Sequence, residues 1–175
     1  MKVRVILNEN ELRQAVRIGS ERNIASLINA YQQPKEQTQK EGHWEWHITG
    51  AIGEFAVSKV LNVEWHCDTK QIQEFDCGRY QVRSTTLNDG RLLVRRRDNL
   101  EHIFIFAQVI KNRVLFHGWA SGQRVIDLDQ EIFPNCFTIP TYLLYPMTDL
   151  PEFPQILPDG VDMFKPPVKK LGGLS

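Results

Sequence analysis

No stretch of the chain stays apolar long enough to cross a membrane as a helix, since none of its 175 residues belong to an apolar run of eighteen or more. The opening, MKVRVILNENELRQ, lacks the charged, apolar and small-residue regions of a secretion signal, so no membrane partner is expected and a cytoplasmic protein is. Cysteine is scarce. Cys67, Cys77 and Cys136 are an odd set without a CxxC pair, which argues against a disulfide framework and suits a reducing compartment. His43, His47, His66, Cys67 and Cys77 are zinc-type ligands, but the Cys67 to Cys77 interval is far wider than the close pairs of structural zinc sites. Net charge is absent overall and uneven locally. From Val125 to Phe164 there is no lysine or arginine, only Asp127, Asp129, Glu131, Asp149, Glu152, Asp159 and Asp162. From Arg79 to Arg97 six arginines face the single acid Asp89, so an anionic partner would choose that stretch. Proline is nearly missing before Phe133. Eight of the nine prolines follow it, so the last forty residues are expected to run as extended segments over the surface, with TIPTYLLYPM able to dock and KPPVKKLGGLS frayed.

What is present is enough apolar material, 42% of residues, for one domain with a real core. KVRVIL reads as a strand, and Asn8 with Glu11 gives a helix start. Gly19 and Ser20 predict an interruption, after which Ile24, Leu27, Ile28 and Tyr31 form a second apolar helical face. Gln32 to Gly42 is polar and aperiodic, as in a surface loop. Ile48, Ile52, Phe55, Ala56 and Val60 predict a helix from about His47 to Leu61. Two glycines inside it, Gly50 and Gly53, each cost roughly 1 kcal/mol against alanine and suggest close approach by another element, or a helix start near Thr49. RYQVRST, the turn Asn88-Asp89-Gly90 and RLLVRR read as a hairpin. HIFIFAQVI is apolar enough for a strand covered on both faces, and RVLFHGWAS follows as another strand.

This order sets Glu54 on a helix, Asp76 just before a strand, and Gln81 and Arg83 on that strand, sharing one face by period two while Tyr80 and Val82 pack the other way. Phosphodiester hydrolysis needs carboxylates to hold Mg²⁺ or Mn²⁺, a water made acidic by that ion, and a cation near the developing charge. These residue types match that list. The order also resembles the PD-(D/E)XK nuclease superfamily, in which a helix bearing Gly-Glu precedes an Asp and then a strand ending in an acid or amide, a spacer and a lysine. GEFAVSKVL, Asp76 and Gln81-Val82-Arg83 are the matching pieces, within about residues 47 to 120. The resemblance implies an α/β fold, a restriction-endonuclease-like mixed central sheet flanked by helices. It implies a nuclease-like domain over residues 1–145 and a proline-rich extended segment over 146–175. Its further implication is a Mg²⁺ or Mn²⁺ ion held by Glu54, Asp76 and Gln81, with Arg83 at the lysine position and DNA as substrate. Two departures stand out. Gln81 carries no charge, as in a subset resembling the methylation-dependent restriction nucleases, and Arg83 keeps its proton and cannot act as a general base. Arg83 is left to hold the attacking water or to stabilise charge on the phosphate.

Plainer readings stand beside these. Glu54 on a helix can simply be solvated, Asp76 can open a turn before Gly78, and Asp68 or Glu74 lies close enough in sequence to replace it as ligand. Arg95, Arg96 and Arg97 are a solvated strand edge in isolation and a grip on phosphates beside a nuclease site. Trp44, Trp46 and Tyr31 are read as core anchors, with stacking on bases as the alternative, and His43 or His47 could touch a phosphate. Two competing functions remain. One is a nucleic-acid-binding module with the same fold and a degraded site, and the other is an interaction protein that works through its acidic, proline-rich C-terminal part.

Overall fold

The computed structural model describes residues 1–32, 44–67, 75–128 and 136–165. The readings of the loop from Gln32 to Gly42, apart from Gln32 itself, of His43, Asp68 and Glu74, of the Tyr31 side chain and of the last ten residues lie outside the described residues. The chain begins with strand β1 (Lys2–Ile6) and helix α1 (Glu9–Gln32). Asn8 and Glu11 cap α1 reciprocally: Glu11 N donates to Asn8 Oδ1 at 3.0 Å and Asn8 N donates to Glu11 Oε2 at 2.8 Å.

The interruption expected at Gly19 and Ser20 does not occur, because α1 runs straight through them. Gly19 is instead the point where a second helix, α2 (Trp44–Leu61), crosses. A Cβ there would lie 2.7 Å from Ile48 Cα and 2.8 Å from the His47 carbonyl oxygen, so only glycine lets the two backbones meet. The buried stripe of α1 is therefore Ala15, Ile18, Gly19 and Asn23, and the second apolar face expected around Ile24 and Ile28 is turned to solvent. α2 also starts earlier than expected and leaves Trp44 and Trp46 exposed, so neither anchors the core.

The remaining elements are β2 (Tyr80–Thr85), β3 (Leu92–Arg95), β4 (Ile103–Ile110), β5 (Arg113–Ser121), α3 (Gly122–Asp127), β6 (Cys136–Ile139) and β7 (Val161–Phe164). Five strands form a mixed sheet in the order β2-β4-β5-β1-β7, with β2 and β4 parallel and the other pairs antiparallel. One face carries Val3, Val5, Tyr80, Val82, Ile105 and Ala107 against Ala15, Ile52, Ala56, Val57 and Val60 of the helices. The other carries Phe104 and Phe106 against Leu92, Val94, Val125 and Ile139. β4 is thus covered on both faces, as its apolar run predicts.

The expected β2–β3 hairpin is absent. β3 pairs with β6 in a separate two-stranded ribbon, and β2 pairs with β4. Among the described glycines positive φ occurs at Gly78, Gly118 and Gly160, so Gly90 does not adopt the left-handed conformation of a type I′ hairpin turn. Gly90 instead packs across Phe106, where a Cβ would lie 3.1 Å from Cζ. The chain crosses the sheet face because Phe104 and Phe106 have to be covered.

The C-terminal segment is extended over its described part, residues 146–165, apart from a short 3-10 turn at Met147–Asp149. It is bound into the same body. Met147 and Leu150 enter the helix-side core and β7 pairs with β1.

Candidate active site

Glu54 reaches its position because α2 packs tightly onto the sheet. A Cβ on Gly53 would collide with Ser84 Oγ of β2 and lie 3.6 Å from Ala107 Cβ of β4. The next residue, Glu54, is therefore carried inward and is only 6% exposed. Asp76 is brought to it by a small β-like junction. Trp65 bridges Cys77, His66 N donates to the Asp76 carbonyl at 3.0 Å, and the buried Cys77 thiol donates to the Glu54 carbonyl at 3.0 Å. Gly78, at φ +52°, closes the turn that leads into β2, so Asp76 does open a turn, and its charge acts on Glu54.

Both carboxylates are well engaged. Arg22 Nη1 donates to Glu54 Oε1 at 2.8 Å and Oε2 at 2.6 Å, and Trp65 Nε1 donates to Oε2 at 2.9 Å. Arg22 Nη2 also donates to the His66 carbonyl at 3.1 Å, pinning the junction. Asp76 Oδ2 accepts from Val82 N at 2.7 Å. Burial raises the Glu54 carboxyl above its ordinary value and the Asp76 charge raises it further, against the pull of Arg22 and Trp65. Asp76 is likewise raised by burial, opposed by the Val82 N–H, Arg83, Arg22 and His66. Desolvation is thus the dominant effect on both carboxylates, with Arg22 acting against it on each.

Gln81 and Arg83 lie in parallel register with Phe104 and Phe106, on the sheet face opposite α2. Arg83 projects over the Phe104 ring at 5.0 Å, donates to Asp98 Oδ2 at 2.6 Å and to Gln81 Oε1 at 3.4 Å. Its charge still acts on Asp76. The arrangement brings together Glu54 and Asp76, and separately Gln81 and Arg83, with Arg83 linking the two pairs electrostatically. Asp98 also accepts from Arg95 N at 2.9 Å. Burial alone would raise the Asp98 carboxyl, but the Arg95 N–H and Arg83 outweigh it and hold it below its ordinary value.

Arg95, Arg96 and Arg97 are exposed and, with Cys136, line a cleft of about 250 Å³ at the end of the β3–β6 ribbon. Arg96 stacks on Phe137, its Cζ 4.9 Å from the ring centre.

Arg22 and Trp65 escape the sequence reading, and His66 enters it only as a zinc-type ligand. The available signal was Arg22 and Asn23 at the i+7 and i+8 positions after Ala15, polar side chains in line with an apolar stripe. His47 also lies in the field of Arg22, and burial first, then Arg22, lowers its pKa.

Carboxylate oxygens suit a hard divalent cation, and Mg²⁺ commonly uses one or two carboxylates with waters and substrate phosphates making up the rest. Glu54 and Asp76 fit that use. Among the described residues no group of three or more His, Cys, Asp or Glu is placed to hold an ion, so a dedicated all-protein cage is not shown. No described helix is long and apolar enough to cross a membrane. The fold and site together define a mixed α/β chain with a carboxylate pair beside an edge strand. Comparison with protein-family models, with curated proteins and with solved structures finds no match.

Proposed function

We propose that this chain is a restriction-endonuclease-like, metal-dependent nuclease of the cytoplasm that hydrolyses phosphodiester bonds in DNA. The observation that carries the reading is the convergence of two buried carboxylates, Glu54 on α2 and Asp76 at the junction before β2, near enough for the Asp76 charge to act on Glu54. A divalent cation is one partner that would offset the cost of burying both charges. Bound there, Mg²⁺ or Mn²⁺ would supply an acidified water and a counter-charge for the phosphate. Glu54 and Asp76 would hold it, while Gln81, on the sheet face opposite α2, stands apart from that pair and would have to turn toward it to add a third oxygen. Arg83, fixed by Asp98, Gln81 and Phe104, offers a permanent cation to the charge developing on the phosphate. Arg95, Arg96 and Arg97 offer the grip on the flanking phosphates.

A second reading is favoured by one specific observation. Arg22 already neutralises Glu54, and Arg83 already pairs with Asp98, which is how a nucleic-acid-binding module with a silenced site would look. Incubation with plasmid DNA separates the two. The nuclease reading predicts nicking in Mg²⁺ or Mn²⁺ that chelation abolishes; DNA binding with no cleavage in either ion selects the silent module, and cleavage indifferent to chelation refutes both.

A further inference from the structure

The cleft at the end of β3 is shaped for something smaller than a duplex groove. Its volume, about 250 Å³, falls below that of pockets for drug-sized ligands and suits a single ring system. Arg95 sits across from Cys136 in the ribbon register, Val94 sits across from Phe137, and the three consecutive arginines line the cleft with Cys136. Among the described residues no carboxylate side chain forms an ion pair with Arg95, Arg96 or Arg97. Asp98, the nearest acid in sequence, spends its Oδ2 on Arg83 and on the Arg95 backbone N–H. The guanidinium of Arg96 is oriented by Phe137 beneath it, and a planar guanidinium stacked on one side presents a second flat face on the other. A nucleobase stacks on such a face, and a phosphate pairs with neighbouring arginines.

We infer that this cleft, whose lining is apolar, seats the base of one unpaired nucleotide beside Arg96, with the phosphate outside it paired with Arg95 and Arg97, so that the substrate is DNA with single-stranded character. The inference rests on the nucleic-acid reading above and narrows it. Asp98 ties the cleft to the candidate active site, since one carboxylate fixes both the Arg83 guanidinium and the turn that carries the arginines. A base held here lies on a strand that is held relative to Arg83.

The test uses the full chain, a chelator to prevent cleavage, and a short single-stranded oligonucleotide carrying the fluorescent base 2-aminopurine, beside the duplex of the same sequence. The single strand is expected to bind more tightly and to lose fluorescence as the base stacks. Arg96→Ala should weaken binding by about tenfold and abolish the quench. Arg96→Lys, which keeps the charge but not the plane, should keep the salt dependence and still lose the quench. Arg95→Ala with Arg97→Ala should flatten the salt dependence by about 0.7 log units for each phosphate no longer neutralised. These side chains are exposed, so the variants are expected to fold. Equal or tighter binding of the duplex, no binding of either form, or a quench unchanged in both Arg96 variants overturns the inference. Single-strand binding with the predicted variant pattern but no cleavage on adding Mg²⁺ leaves the cleft assignment standing and sinks the nuclease reading. Metal-dependent cleavage of duplex that ignores Arg96 does the reverse.

Discussion

Glu54 holds a carboxylate at a position that is 6% exposed, beside a second acid, with one guanidinium and one indole N–H in direct contact. Because burial and Asp76 raise its folded pKa above the unfolded value, the stability it contributes is present at low pH and lost as pH rises through the folded pKa. The same sign holds for Asp76. A divalent cation bound by the pair would offset that loss. Thermal unfolding should therefore show Mn²⁺ raising the midpoint, by the equivalent of about 2.7 kcal/mol at a hundredfold excess over the dissociation constant, and more strongly as pH rises above the ordinary carboxylate range. Glu54→Gln should remove most of that rise, because the amide brings no charge. An equal rise in both proteins would locate the ion elsewhere. The placement of Glu54 on a helix and of Asp76 before a strand was legible in the sequence, whereas the approach of Arg22 was not. Arg22 lies thirty-two residues from its partner in sequence, and only the α1–α2 crossing at Gly19 brings it there.

At the scale of elements, the seating of α2 on β2 and β4 decides whether Glu54 faces Asp76. Gly53 makes that contact, and Ser84 Oγ is buried against it without a hydrogen-bond partner among the described residues. Gly53→Ala gains about 1 kcal/mol in helix propensity but overpacks the junction at a cost of about 1–3 kcal/mol. Net destabilisation is expected in denaturant unfolding. Ser84→Ala removes the colliding oxygen and an unpaired polar atom, so alone it should be neutral or stabilising, and combined with Gly53→Ala it should restore most of the loss. A Gly53→Ala protein as stable as wild type would mean that α2 can ride higher on the sheet. The two glycines of α2 were rightly read as a sign of close approach, at Gly53. The Asn88-Asp89-Gly90 turn misled because its residue types describe a hairpin only where the flanking strands pair. Here the need to cover Phe104 and Phe106 sent β3 to the other face. Gly19 misled for a related reason, since a glycine that admits a neighbouring backbone and one that ends a helix look alike in sequence.

Across the whole molecule, a five-stranded mixed sheet carries α1 and α2 on one face and the β3–β6 ribbon with α3 on the other. Periodicity made the strands and helices readable, but the parallel β2–β4 pairing and the place of β7 beside β1 depend on long-range partners that local pattern does not encode. The two unevenly charged stretches meet in space at the start of β2. The arginine-rich stretch supplies the edge strand and the cleft, while the acidic C-terminal segment supplies Glu152, which pairs with Arg79 at 3.0 Å and accepts from Tyr80 at the start of β2. Whether the Glu54–Asp76 pair makes this chain a metal-dependent nuclease is tested most directly by single-turnover cleavage of DNA in Mg²⁺ or Mn²⁺. Wild type and Asp76→Asn are compared, with the unfolding midpoint of each measured alongside. Asparagine keeps an oxygen for the Val82 N–H, so the fold should persist. The expected result is a loss of about a hundredfold or more in cleavage rate with a near-unchanged midpoint; wild-type cleavage by a folded Asp76→Asn protein would contradict the assignment.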